Sequence, residues 1–189
     1  MIPTLYIISG CNGAGKTTVS YSVLPDLLGC RDFVNADEIA KGLSPFSPES
    51  VAIEAGRIML DRIKYLISQK QTFAIETTLA TRSYIHIIDQ AKSVGYNVII
   101  LFFWLSSPEM AIERVAKRVS EGGHNIPSEV IVRRYWAGLN NFFTIFATVA
   151  DNWMFYENID TTRLLASDIE VIDHSLFEKI KESCQNRKN

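Results

Sequence analysis

The stretch SGCNGAGKTT, residues 9–18, decides the fold. It follows the apolar run LYIIS, residues 5–9, which suits a strand buried on both faces of a parallel sheet, and it leads into a helical pattern over residues 16–28. Gly10, Gly15, Lys16 and Thr17 match the phosphate-loop pattern G-x-x-x-x-G-K-[ST]. The glycines let backbone amides turn inward around phosphate oxygens, so Gly10, Asn12, Gly13, Ala14, Gly15, Lys16, Thr17 and Thr18 are the candidate nucleotide-binding residues. Lys16 can reach the β- and γ-phosphates, Thr17 can offer its hydroxyl to Mg²⁺, and the helix that starts here aims its positive end at the anion. Cys11 lies inside the loop, where a helix N-terminus would lower a thiol's pKa; read otherwise, it is a small spacer.

Working outward, strand and helix patterns alternate. DFVNAD gives a second short strand, followed by a short helix near residues 38–41. SPES, residues 47–50, places Ser47 as a cap and Pro48 at the first position of a helix that runs to about Gln69, with a core stripe of Ala52, Ala55, Met59, Ile63 and Leu66. TFAIETT is a third strand, residues 84–93 a helix, and NVIILFFWL a fourth, strongly buried strand. SSPEM, residues 106–110, starts a helix that should stop at Gly122 and Gly123. A longer helix over residues 128–150 follows, with Leu139, Phe142, Phe143 and Phe146 as its core face. WMFYE and RLLAS read as terminal strand material before a last amphipathic helix. This alternation predicts an α/β, three-layer P-loop NTPase fold. Its mostly parallel five-stranded sheet would carry helices on both faces and a helical lid over residues 114–134.

The 189 residues suit one domain, and a net charge of −2 gives no basic field for nucleic acid or anionic membrane. No apolar run approaches bilayer length and the N-terminus lacks signal-peptide character, which favours a cytoplasmic protein with a small-molecule site. Cys11, Cys30 and Cys184 are odd in number and have no C-x-x-C spacing, so they read as reduced thiols.

A phosphate loop alone does not separate GTPase, motor ATPase and small-molecule kinase. No Asn-Lys-x-Asp guanine-reading segment occurs, and the fourth strand runs into Ser106 and Ser107 without the acid of a standard Walker B, which weakens the first two. The strand-end acids are instead Asp37 and Glu76, and both should face the crevice beyond the carboxyl ends of the strands. Asp37 can accept a proton from a substrate hydroxyl, or alternatively cap the short helix after it. Glu76 can hold Mg²⁺ through water or bind a substrate hydroxyl, with Thr77 and Thr78 beside it. Arg114 and Arg118 share a helix face, and after the Gly-Gly break come Arg133 and Arg134; guanidinium groups on both sides of a glycine break are the plan of a lid over a transferring phosphoryl group. His124 reads as a loop residue.

With GCNGAGKTT, FVNADEIAKGLSPF, AIETTLATRSY and RVAKRVSEGGHNIPSEVIVRRY in this order, the chain resembles the zeta-toxin-like P-loop kinases, in particular their compact single-domain bacterial type. Zeta toxins proper are UDP-N-acetylglucosamine kinases that use ATP and Mg²⁺. The resemblance implies Lys16 and Thr17 at the ATP phosphates and Mg²⁺, Asp37 as the base, and Arg118 with Arg133 or Arg134 as lid arginines. It matches Glu76 and Thr78 to the family's E-G-T substrate strand, with Glu76 also near the metal. An antitoxin protein becomes a candidate partner, beside ATP and a hydroxyl acceptor. The chain departs from the family at Thr77, which replaces a glycine, and at Ala80, where the toxins carry an arginine that leaves Arg82 as the nearest substitute. The alternative that stays open is a nucleotide-dependent switch or binding module that phosphorylates no acceptor.

Overall fold

The computed structural model describes residues 2–123 and 125–185. His124 therefore lies outside the described residues. The elements run β1 (Thr4–Gly10), α1 (Lys16–Asp26), β2 (Asp32–Val34), α2 (Ala36–Leu43), a 3₁₀ turn (Pro48–Val51), α3 (Ala52–Ser68), β3 (Phe73–Thr77), α4 (Tyr84–Ser93) and β4 (Asn97–Trp104). The second half continues with α5 (Pro108–Ser120), α6 (Ser128–Asn141), a π-helical segment (Phe142–Phe146), the single turn α7 (Ala147–Val149), β5 (Asn152–Asn158), β6 (Thr162–Ser167) and α8 (His174–Gln185).

The sheet has six strands in the order β2-β3-β1-β4-β5-β6, with every pair parallel except β5 and β6. The sequence reading expected five. The sixth arises because RLLAS folds back on β5 as an antiparallel hairpin edge, with a register shift between Phe155 and Tyr156. From β1 the chain moves outward two places to β2, then returns in the other direction through β3, β4 and β5. Right-handed crossovers therefore put α1 on the opposite face from α3 and α4. All five parallel strands end on the same side, which brings the loops after β1, β2, β3, β4 and β5 to one edge.

The core stripe of α3 holds at Ala55, Met59, Ile63 and Leu66, but Ala52 is exposed. Residues 48–51 form a 3₁₀ turn, so Ser47 makes no cap bond to the backbone; its hydroxyl instead donates to Glu49. The expected helix over residues 128–150 is α6, the π-helical segment and α7 in succession. The wider π turn accommodates an aromatic cluster, with the rings of Phe102 and Phe142 4.8 Å apart and those of Phe102 and Phe155 5.1 Å apart. Phe143 is only partly buried, as it covers the outside of that cluster. No helix among the described residues is long and apolar enough to cross a membrane.

Candidate active site

The loop after β1 is shaped by close approach. Gly10 has φ +137°, and a Cβ there would sit 2.2 Å from the Phe103 carbonyl oxygen on β4. Gly15 caps α1 in the left-handed conformation, φ 78°. Inside the loop Lys16 is buried, and its Nζ donates to the Cys11 carbonyl at 2.9 Å and lies 3.6 Å from Glu76 Oε1. Thr17 donates its hydroxyl to Glu76 Oε2 at 2.7 Å. The lysine, the threonine and the strand-end acid thus form one cluster, although the acid lies 59 residues or more from the other two in sequence.

Asn35 completes that cluster. Its side-chain oxygen accepts from the backbone N–H groups of Asp37 and Glu38 and so caps α2, while its Nδ2 donates to Glu76 Oε2 at 2.9 Å. One amide therefore fixes both the start of α2 and the orientation of Glu76. Because Asn35 is the cap, Asp37 is released from the capping role and sits in the first helical turn.

Three cavities meet at Asp37. One of about 350 Å³ runs over the phosphate loop, lined by Lys16, Thr17, Thr18, Glu76, Lys117 and Arg118 among others. A second, of about 240 Å³, lies against the end of β3 and is lined by Lys16, Glu76, Thr77, Thr78, Tyr84 and Arg134. The third, of about 170 Å³, lies between α2, the 3₁₀ turn and Arg118. Arg134 Nη1 donates to Asn12 Oδ1 at 3.3 Å, whereas Arg133 is exposed and lines none of the three. Arg82 is likewise exposed and lines none of them. Arg114 lines the phosphate-loop cavity, and its guanidinium donates to the carbonyls of Asn158 (2.8 Å) and Ile159. Asn158 in turn donates to the Ala14 carbonyl at 2.7 Å, so Arg114 braces the loop after β5 against the phosphate loop. The expected lid is therefore pinned at both ends, by Arg114 and by Tyr135, whose hydroxyl donates to the Leu105 carbonyl at 2.6 Å.

Burial pushes the Cys11 thiol up to about 11, against the opposing charge of Lys16. The activated-thiol reading of Cys11 is overturned: it is a buried spacer. Burial also raises the Tyr84 phenol above its usual value; a hydrogen bond with Thr77 acts in the opposite sense and the Asp37 carboxylate adds to the rise. Tyr84 thus faces both Thr77 and Asp37, a contact with no local sequence signal. Asn35 did have one, since Asn35 and Glu38 have the spacing of a capping box.

The Thr17 hydroxyl and the Glu76 carboxylate supply hard oxygen donors beside the phosphate loop. That set fits Mg²⁺, which takes one or two protein oxygens and fills its remaining positions with water and phosphate oxygens.

A phosphate loop at the end of a parallel sheet, with a strand-end acid on its lysine and threonine, defines the P-loop kinase class of phosphotransferases. The zeta toxin family profile matches residues 2–170, and the chain belongs to that family. An uncharacterized protein of Haemophilus influenzae is 31% identical over 126 residues, 67% of this chain and 88% of that one. Among solved structures, a chain of the AvrRxo1-ORF1:AvrRxo1-ORF2 assembly with sulphate ions matches with a TM-score of 0.79 at 22% identity. The match covers 95% of this chain and 63% of that one, and the same assembly with ATP matches at 0.77. The PezAT toxin-antitoxin system of Streptococcus pneumoniae matches with a TM-score of 0.70 at 16% identity, over 100% of this chain and 86% of that one. This chain therefore spans less than two thirds of the first of these structural relatives.

Proposed function

We propose that this protein transfers the γ-phosphoryl group of ATP to a hydroxyl group of a small molecule held in the cavity at the end of β3. A nucleotide-sugar such as UDP-N-acetylglucosamine is the first candidate. The observation that carries the reading is the position of Asp37 where the phosphate-loop cavity and the β3 cavity meet. A hydroxyl bound there lies beside both a proton acceptor and the phosphate-loop lysine, since Asp37 and Lys16 each line both cavities.

In this reading the loop amides and Lys16 hold the β- and γ-phosphates. Asp37 takes the hydroxyl proton as the acceptor oxygen bonds to the γ-phosphorus and the bond to the bridging oxygen breaks, releasing ADP. Arg118 and Arg134 flank the two cavities and supply donors for the charge on the moving group. Thr17 and Glu76 are the residues that would hold Mg²⁺, whose bound charge offsets that of the phosphates. Glu76 satisfies both Lys16 and Thr17, which keeps the buried ammonium paired. Membership of the zeta toxin family also supports an antitoxin protein as a partner.

The test is incubation of the purified protein with ATP, Mg²⁺ and a cell metabolite extract, followed by mass spectrometry for new phosphorylated products. A phosphorylated hydroxyl compound that depends on Lys16 is expected. Tight ATP binding with no product from the extract or from purified sugar nucleotides, sugars and nucleosides would leave a nucleotide-binding module instead.

A further inference from the structure

The turn after β3 holds an unusual conformation for its residues. Leu79 has φ +54°, the left-handed region in which side chains other than those of Gly and Asn are disfavoured, and its side chain is fully buried. Within the turn the Leu79 N–H donates to the Thr77 hydroxyl at 3.0 Å and the Ala80 N–H to the Thr78 hydroxyl at 3.4 Å. The carbonyls of Thr78 and Leu79 both meet α6. A Cβ on Gly138 would sit 2.2 Å from the Thr78 carbonyl oxygen, so helix and turn are in backbone contact. Asn141 is buried at 5% exposure, and its Nδ2 donates to the Leu79 carbonyl at 2.8 Å.

The helix that makes these contacts is itself fixed. Tyr135 ties its middle to the Leu105 carbonyl, and Phe142 and Phe146, directly after Asn141, are buried in the aromatic cluster. Arg134, Gly138 and Asn141 are spaced four and three apart, hence on one face. That face touches the phosphate loop at Asn12 and the turn after β3 at Thr78 and Leu79. A strained turn persists only where its surroundings over-determine it, and here they belong to the same helix that carries Arg134.

We propose that Asn141 is a positioning residue for the phosphoryl acceptor: through the Leu79 carbonyl it locks the Thr77–Ala80 turn, and so sets Thr78 and the adjoining Tyr84 relative to Asp37 and Arg134. The inference rests on the reading that the cavity at the end of β3 takes the acceptor. It assigns to α6 the task of holding the acceptor floor and a phosphate-side arginine in one rigid frame. Asn141 touches neither substrate and acts only through the turn.

The experiment compares wild-type protein with Asn141→Leu, which keeps the branched skeleton of four heavy atoms but removes the donor, and with Gly138→Ala, which pushes on the same turn from the next contact. Steady-state kinetics with ATP and each of UDP-N-acetylglucosamine, N-acetylglucosamine, glucose and uridine give separate KM values for nucleotide and acceptor. Leu66→Ala near the end of α3, buried where its carbonyl meets Tyr96 at the amino end of the sheet, serves as a variant of lowered melting temperature. Either turn variant that folds should raise the acceptor KM at least fivefold while the ATP KM stays within twofold, and Leu66→Ala should move neither. An acceptor KM that is unchanged in both turn variants, or that rises equally in Leu66→Ala, would overturn the positioning role while leaving the kinase reading intact. A wild-type protein that binds ATP but phosphorylates none of the four would remove the acceptor reading and this inference together.

Discussion

Two turns at the carboxyl edge of the same sheet reach unusual backbone conformations by different routes. The turn after β1 uses glycine: Gly10, Gly13 and Gly15 all have positive φ, and Gly10 also leaves room for the Phe103 carbonyl. The turn after β3 uses Leu79 at φ +54°, a conformation that costs about 1–2 kcal/mol for such a residue and that α6 enforces through Asn141. The difference teaches that the phosphate loop takes its backbone conformation from its own glycines, whereas the turn on the proposed acceptor side takes its conformation from tertiary contact. A phosphate is the same anion in every nucleotide, so a loop of backbone amides recognises it. An acceptor varies, and the floor assigned to it here depends on a side chain from another element.

The largest effect should come from the cluster in the first turn. Lys16→Ala removes the cation buried against Glu76 and beside the phosphates, and phosphoryl transfer should fall below detection with ATP binding weakened. Radiolabelled ATP turnover and equilibrium ATP binding check it, and unchanged turnover would take the loop out of the chemistry. Next, Gly10→Ala sets a Cβ against the Phe103 carbonyl and should cost about 3 kcal/mol or more of stability, read as a lowered urea midpoint. A variant as stable as wild type would mean that the first turn is less dependent on glycine than its geometry indicates.

The arginines sharpen the same contrast. Arg118 lines the phosphate-loop cavity and Arg133 does not, so Arg118→Ala should lose roughly two orders of magnitude in kcat with little change in ATP affinity, and Arg133→Ala should stay within about threefold. A loss in Arg133→Ala as large as in Arg118→Ala would contradict the reading that Arg133 stands outside the site. The smallest effect is on pH dependence. Burial raises the thiols of Cys11 and Cys30 from 9.0 to about 11, so the folded state keeps protons that the unfolded chain has lost, and stability should fall as pH climbs from 9 to 11. Urea midpoints at the two pH values measure it, and a midpoint that rises would contradict the buried state of both thiols.

The phosphate loop was legible because its conformation is encoded where it stands, in glycine spacing and a lysine between a strand and a helix. The alternation of strand and helix gave the parallel sheet for the same reason, since burial on both faces leaves a continuous apolar run. Glu76 was legible as an acid at a strand end, whereas Asp37, read the same way, stands three residues past β2 in the first turn of α2. The contact of Glu76 with Lys16, Thr17 and Asn35 was not, because it joins segments 41–60 residues apart. Arg114, Arg133 and Arg82 show the limit most clearly. Helical spacing puts Arg114 on one face with Arg118, yet Arg114 turns toward the Asn158 carbonyl at the end of β5, a partner that depends on where β5 lies. Tyr84 and Asn141 carry no motif, and their placement follows from where their helices pack, α4 against β4 and α6 against β1 and the turn after β3.

The central claim is that Asp37 is the proton acceptor at the junction of the two cavities, and Asp37→Asn tests it most directly. With Asn35 as the cap of α2, this substitution removes a carboxylate and leaves the cap in place. The measurement is kcat for acceptor phosphorylation together with the melting temperature of the same sample. A kcat lowered roughly 10²- to 10⁴-fold at an unchanged melting temperature is expected. Near-normal kcat in the folded variant would contradict the account.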